Sequence, residues 1–139
     1  MTYATSQNLI DRFGQKEIQQ LTDRSNAGAI DTNVLAQALA DTDAEINSYL
    51  EPLFNLPLVT VPLILTRVAS DIARYYLYDV RATDLVKARY KDAVMFLQNV
   101  ANGTVSIGVD SNNQPQAMAG GIKFIGTDRV FSKTTLGDY

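Results

Sequence analysis

Pro62-Leu63-Ile64-Leu65-Thr66-Arg67-Val68-Ala69-Ser70-Asp71-Ile72-Ala73-Arg74-Tyr75-Tyr76-Leu77-Tyr78 carries apolar or small residues on nearly every side of a helix. A helix that is apolar all round has to be covered by its neighbours, so this segment reads as the central buried helix of a bundle. Pro62 suits the first turn, where the missing amide costs no hydrogen bond. One polar row interrupts the apolar surface. Arg67, Asp71 and Arg74 recur four and three residues apart, so both pairs can meet on one helix face.

The segments flanking this helix are helical too. Upstream, Leu35, Leu39, Thr42, Ile46, Tyr49, Leu50 and Leu53 form a continuous stripe at helical spacing, and Asp31 is placed to cap its start. Asp41, Asp43, Glu45 and Glu51 fall mostly off that stripe, which gives an amphipathic helix with an acidic back face. Pro52, Pro57 and Pro62 then predict an extended connector over Leu56 to Val61, because the residue before each proline is pushed out of the helical region. Further upstream, Thr5 or Ser6 caps a short helix with Leu9, Ile10 and Phe13 on one face and a stop at Gly14; Glu17, Ile18 and Leu21 indicate a second short helix. Downstream, Thr83 caps a last helix from about Asp84 to Asn102, with Leu85, Ala88, Val94, Leu97 and Ala101 expected on its core face and Lys87, Arg89, Lys91 and Asp92 on the rest. Asn102-Gly103 ends it.

The composition changes after Gly103. Thr104 to Val109 alternates like a short strand, and five of the eight glycines fall between Gly108 and Gly137. Ile122, Phe124, Ile125, Val130, Phe131 and Leu136 are nevertheless too apolar for a solvated tail. The expected fold is therefore all-α: a small bundle of two short N-terminal helices and three longer ones over 1–103, followed over 104–139 by an extended C-terminal arm with short strand-like segments. The arm can fold back on its own helices. The glycines give it enough reach to dock on another chain, and that reading is preferred.

Several function classes fall away on residue types alone. The chain has no Cys and no His, so thiolate or imidazole chemistry, disulfides and His-ligated metals are impossible. With a net charge of −3, tight duplex-DNA binding is disfavoured. The N-terminus lacks a basic-then-apolar leader, and the longest apolar run, Leu56 to Leu65, is broken by prolines and far below the ~20 residues of a membrane helix. A soluble chain acting without a membrane is expected.

Each remaining constellation of polar residues also has a purely structural role open to it. Arg67, Asp71 and Arg74 with Tyr75, Tyr76, Tyr78 and Asp79 could form an anion pocket. A structural ion-pair ladder is the commoner outcome at such spacings. Asp41, Asp43 and Glu45 could hold a nuclease metal, but only the first and last share a face, and a solvated helix face accounts for them. Asp110-Ser111-Asn112-Asn113-Gln114 resembles the start of a calcium loop, yet Pro115 and Gly121 stand where Gly and Glu are needed. No cofactor or metal site is expected, and no catalytic residue. Two rivals stay open: a small DNA-binding regulator using Lys87, Arg89 and Lys91, and, less favoured, a metal-dependent nuclease.

Further stretches carry a family resemblance. They are Leu9-Ile10-Asp11-Arg12-Phe13-Gly14, Ala38-Leu39-Ala40-Asp41-Thr42-Asp43-Ala44-Glu45-Ile46-Asn47-Ser48-Tyr49-Leu50, Leu56-Pro57-Leu58, Val61-Pro62, Ala69 to Tyr78, Arg89-Tyr90-Lys91-Asp92-Ala93, Val100-Ala101-Asn102-Gly103 and Arg129-Val130-Phe131-Ser132-Lys133 with Leu136. In this order and spacing the chain resembles the Mu-like phage and prophage head–tail connector, or head-completion, proteins. Asn47 departs from the Asp expected in the long helix. The resemblance implies a non-enzymatic virion subunit of the neck, in the host cytoplasm before assembly. Its partners would be further copies in a ring, the portal protein, a tail-side connector, and double-stranded DNA passing without specific binding. On that footing Arg67, Asp71, Arg74, Tyr78, Lys87, Arg89 and Lys91 are expected at the subunit interface. Arg129, Phe131, Lys133 and Leu136 are expected to dock on the portal or a neighbour, and Asp41, Glu45 and Glu51 to line the channel.

Overall fold

The computed structural model describes residues 2–110, 112 and 114, and these form five α-helices: α1 (Ser6–Phe13), α2 (Gln15–Thr22), α3 (Thr32–Leu50), α4 (Leu63–Tyr78) and α5 (Asp84–Ala101). The all-α bundle expected from the sequence is the fold. Local chemistry sets the boundaries. Thr5 caps α1 in a reciprocal box with Asn8, and Gly14, at φ 89°, both ends α1 and opens α2. The Asp31 carboxylate accepts from the amides of Asn33 and Val34, and the Thr83 hydroxyl accepts from Val86. Gly103, at φ 77°, follows the end of α5.

α4 is the axis of the bundle. Six consecutive residues, Val68 to Ala73, are buried, which only a helix covered on all sides can achieve. Ile46 and Leu50 of α3 share a core with Leu65 and Val68 of α4, whereas Leu35 and Ala38 share a second core with Ala73 and Leu77. The start of one helix thus meets the end of the other, and α3 and α4 run antiparallel. α5 joins the first core through Ala93, Leu97 and Val100. The α1–α2 hairpin covers the second through Leu9, Ile18 and Leu21. Buried hydroxyls bond back one turn: Thr22 to the Ile18 carbonyl at 2.8 Å, Thr42 to Ala38 at 2.7 Å and Ser70 to Thr66 at 2.7 Å.

Two details differ from the sequence reading. The core face of α5 is Val86, Ala93, Leu97 and Val100, while Leu85 is 58% exposed. Leu85 and Ala88 lie together on the exposed side of α5, away from that face, because the apolar residues of α5 occupy more than one face. Second, the alternation beyond Gly103 has a use: Ile107 is buried, and Val105 and Val109 pack against the main core. The residues just after α5 therefore lie on the bundle itself.

Candidate functional site

The polar row of α4 divides into two halves with different partners. In the half nearer its start, Arg67 and Asp71 meet at 3.8 Å across one turn, and the Arg67 side chain remains 53% exposed. In the other half Arg74 does not turn back to Asp71. Its guanidinium bonds Glu17 of α2 at 2.7 Å and lies 4.4 Å from the centre of the Phe13 ring. The Tyr78 hydroxyl donates to the same Glu17 oxygen at 2.6 Å. The three-membered ladder expected on α4 is thus corrected to one intrahelical pair and one interhelical clamp. A nearby carboxylate on a separate helix gives Arg74 a shorter, more shielded partner than Asp71, three residues before it on α4, offers. The clamp pins the N-terminal hairpin and leaves Arg74 and Tyr78 engaged inside the subunit.

Around Asp71 the surface opens into a cleft of about 460 Å³, lined by Arg12 and Phe13 of α1, Arg67 and Asp71 of α4, and Arg89 and Asp92 of α5. Three helices each contribute one arginine. Asp71 is 8% exposed, and burial pushes its carboxyl above the ordinary value; the guanidiniums of Arg89, Arg67, Arg12 and Arg74 offset only part of that push. Arg12 and Arg89 have no carboxylate within salt-bridge distance among the described residues.

The carboxylates of α3 go separate ways. Asp41 is exposed and accepts from the Gln37 amide at 2.9 Å. Asp43 accepts the Tyr3 backbone amide at 2.9 Å. Glu45 turns towards the bundle and accepts from the hydroxyls of Tyr76 on α4 and of Tyr90 on α5, the latter at 3.0 Å. Tyr90 in turn stacks on Tyr75 with ring centres 4.0 Å apart. Burial, then the Glu45 hydrogen bond and charge, push the Tyr76 phenol up and the Tyr90 phenol to about 12. Tyr3 is also pushed up to about 12, by burial and then by Asp43. Glu45 therefore joins α3, α4 and α5 and is not a free lining residue; Asp41 and Glu51 remain exposed. With its three acids turned to different partners, this segment does not converge on a metal, and among the described residues no group of acids could hold one.

Lys87, Arg89 and Lys91 are all exposed on α5 but do not share a face. Lys87 and Lys91 are one turn apart, and Arg89 points into the cleft on the other side. Arg129, Phe131, Lys133 and Leu136 lie outside the described residues. Sequence reasoning missed Arg12 and Glu17 as partners of α4. The usable signal was their position: Arg12 precedes the apolar Phe13, and Glu17 precedes the buried Ile18, so both lie beside the face that packs on α4.

Comparison with known proteins places these features in a family. Residues 3–125 match the family model described as Bacteriophage Mu, Gp36. The chain is 34% identical over 133 residues to the Mu-like prophage FluMu protein gp36 of Haemophilus influenzae, covering 96% of this chain and 94% of that protein. It is 38% identical over 112 residues to gene product J of Escherichia phage Mu, covering 80% of this chain and 79% of that one. The helices, the Glu17 clamp and the arginine cleft all fall inside the matched span, and the chain belongs to the phage Mu Gp36 family.

Proposed function

We propose that this chain is a structural subunit of the head–tail junction of a Mu-like phage. Copies assemble head to tail as a ring beneath the portal, extend the DNA channel and present a face to a tail-side connector. The observation that carries the reading is the placement of charge on a bundle of a phage family. An arginine-lined cleft opens on one side of α4, and α3, whose exposed side carries Asp41 with Glu51 just beyond its end, lies on the other. Opposite charges on two different faces suit a heterologous contact, which closes into a ring when the rotation allows. A two-fold pair would instead need one self-complementary patch.

The arm beyond residue 114 has its own place in this reading. Arg129, Phe131, Lys133 and Leu136 combine charge with apolar anchors and are proposed to dock on the portal or on an adjacent subunit. Electron microscopy and native mass spectrometry of the full chain, alone and mixed with the cognate portal, test the proposal. Rings, free or seated on the portal, are expected. A chain that stays monomeric and also ignores the portal refutes it.

A further inference from the structure

The cleft between α1, α4 and α5 is more than a charged surface. Three guanidiniums and two carboxylates line it, a local balance of one positive charge. Arg12 and Arg89 lack salt-bridge partners among the described residues, and Arg67 reaches Asp71 only at 3.8 Å. Arginine forks of this kind match the planar oxygens of a carboxylate. Duplex DNA fits less well. Its backbone requires several phosphates to be neutralised together, and Asp71 and Asp92 would repel them.

The chain itself carries a matching face. α3 contains no Lys or Arg along its whole length. Its exposed side, opposite Leu35, Thr42 and Ile46, presents Ala40, Asp41, Ala44 and Ser48, with Glu51 just beyond the helix end. Small residues between the two acids let another backbone come close. This side also points away from the cleft. On α4, Tyr76 lies diametrically across from Arg67 at the helical angle per residue, and Tyr76 is the residue that bonds α3. One copy therefore cannot fill its own cleft with its own α3, whereas the next copy can.

We propose that the Arg12/Arg67/Arg89 cleft is a carboxylate socket that receives the Asp41–Glu51 face of α3 from a second copy of this chain. The inference rests on the ring reading above and assigns its contact. It takes Asp41 and Glu51 to the neighbour and not to the channel.

Charge reversal tests it in the full chain. Arg67→Glu with Arg89→Glu, or Asp41→Lys with Glu51→Lys, is expected to weaken assembly, alone or on portal rings, on the order of a hundredfold. The variant carrying all four changes restores opposite charges and is expected to assemble again. Circular dichroism checks the fold of each, and the milder Arg67→Gln with Arg89→Gln replaces the first pair if its carboxylates disturb Asp71. Wild-type rings together with unimpaired rings from both reversed pairs overturn the socket and leave the ring reading standing. Reversed α3 variants that assemble normally but alter DNA passage also overturn it, placing the acids in the lumen. Failure of the wild type to assemble in any condition removes the ring reading and the socket with it.

Discussion

Glu45 is where three helices depend on one side chain, so its removal is a quantitative test of the fold. It accepts hydrogen bonds from Tyr76 on α4 and Tyr90 on α5. Hydrogen bonds to an ionised acceptor contribute about 1.5–3 kcal/mol each. Both phenols keep some contact with water, which recovers part of the loss, so Glu45→Ala should cost about 2–4 kcal/mol. That is a large share of the roughly 5–15 kcal/mol that holds a domain of this size together. Glu45→Gln retains a carbonyl acceptor and should cost about half as much. Urea unfolding of both variants beside Asp41→Ala, whose exposed carboxylate should matter by less than about 0.5 kcal/mol, gives the comparison. A second readout is independent of stability. The folded Tyr90 phenol sits near 12 against an ordinary 10.0, so its contribution is complete below 10 and is lost as pH rises towards 12. Removing Glu45 takes away part of that shift, and phenolate absorbance should then develop at lower pH. A Glu45→Ala protein that unfolds with Asp41→Ala and titrates like the wild type would refute the network.

The remaining predictions concern Asp71 and α5. Because burial raises the folded pKa of Asp71 above the ordinary 3.8, the proton is held more tightly in the folded chain; its contribution is fullest below that value and declines as pH rises through the folded pKa. Asp71→Asn should therefore be no less stable than wild type at neutral pH and lose that relative advantage in acid; urea midpoints at the two pH values decide, and a clear loss at neutral pH contradicts the assignment. On α5, Val86→Ala should cost about 2 kcal/mol and Leu85→Ala less than about 0.5, since only Val86 is buried. Thermal unfolding with the reverse order would show the helix phase to be wrong.

The fold was legible wherever a local rule acts alone. Thr5, Asp31 and Thr83 cap the helices they were read to cap, because a cap needs only its own first turn. The burial of α4 followed from its apolar surface. What failed depended on which helix lies beside which. Leu85 and Val86 are adjacent and both apolar, and only the placement of the elements around α5 selects Val86. Glu45 looked like a solvated acid because its two phenol partners lie 31 and 45 residues away in the chain. Arg74 had a carboxylate three residues before it in Asp71, and the competing Glu17 is 57 residues distant. Pair spacing identifies residues able to meet; it does not rank them against partners brought in by tertiary packing.

That competition also ties the N-terminal hairpin to the cleft proposed for assembly. Glu17 removes Arg74 and Tyr78 from the polar row of α4, while Arg12 and Phe13 of the same hairpin complete the wall of the cleft beside Arg67 and Asp71. One docking event thus closes half of the row and builds the other half into a concave site. Had the hairpin packed elsewhere, α4 would present four exposed polar residues in a line, with Asp71 shared among several arginines and little shape for a partner to read. With the hairpin in place, the guanidiniums of the cleft come from three separate helices and their spacing is fixed by the packed core beneath them. As the proposed socket, a cleft assembled from separate elements in this way would discriminate by geometry as well as by charge, selecting a neighbour of matching shape over acidic surfaces in general.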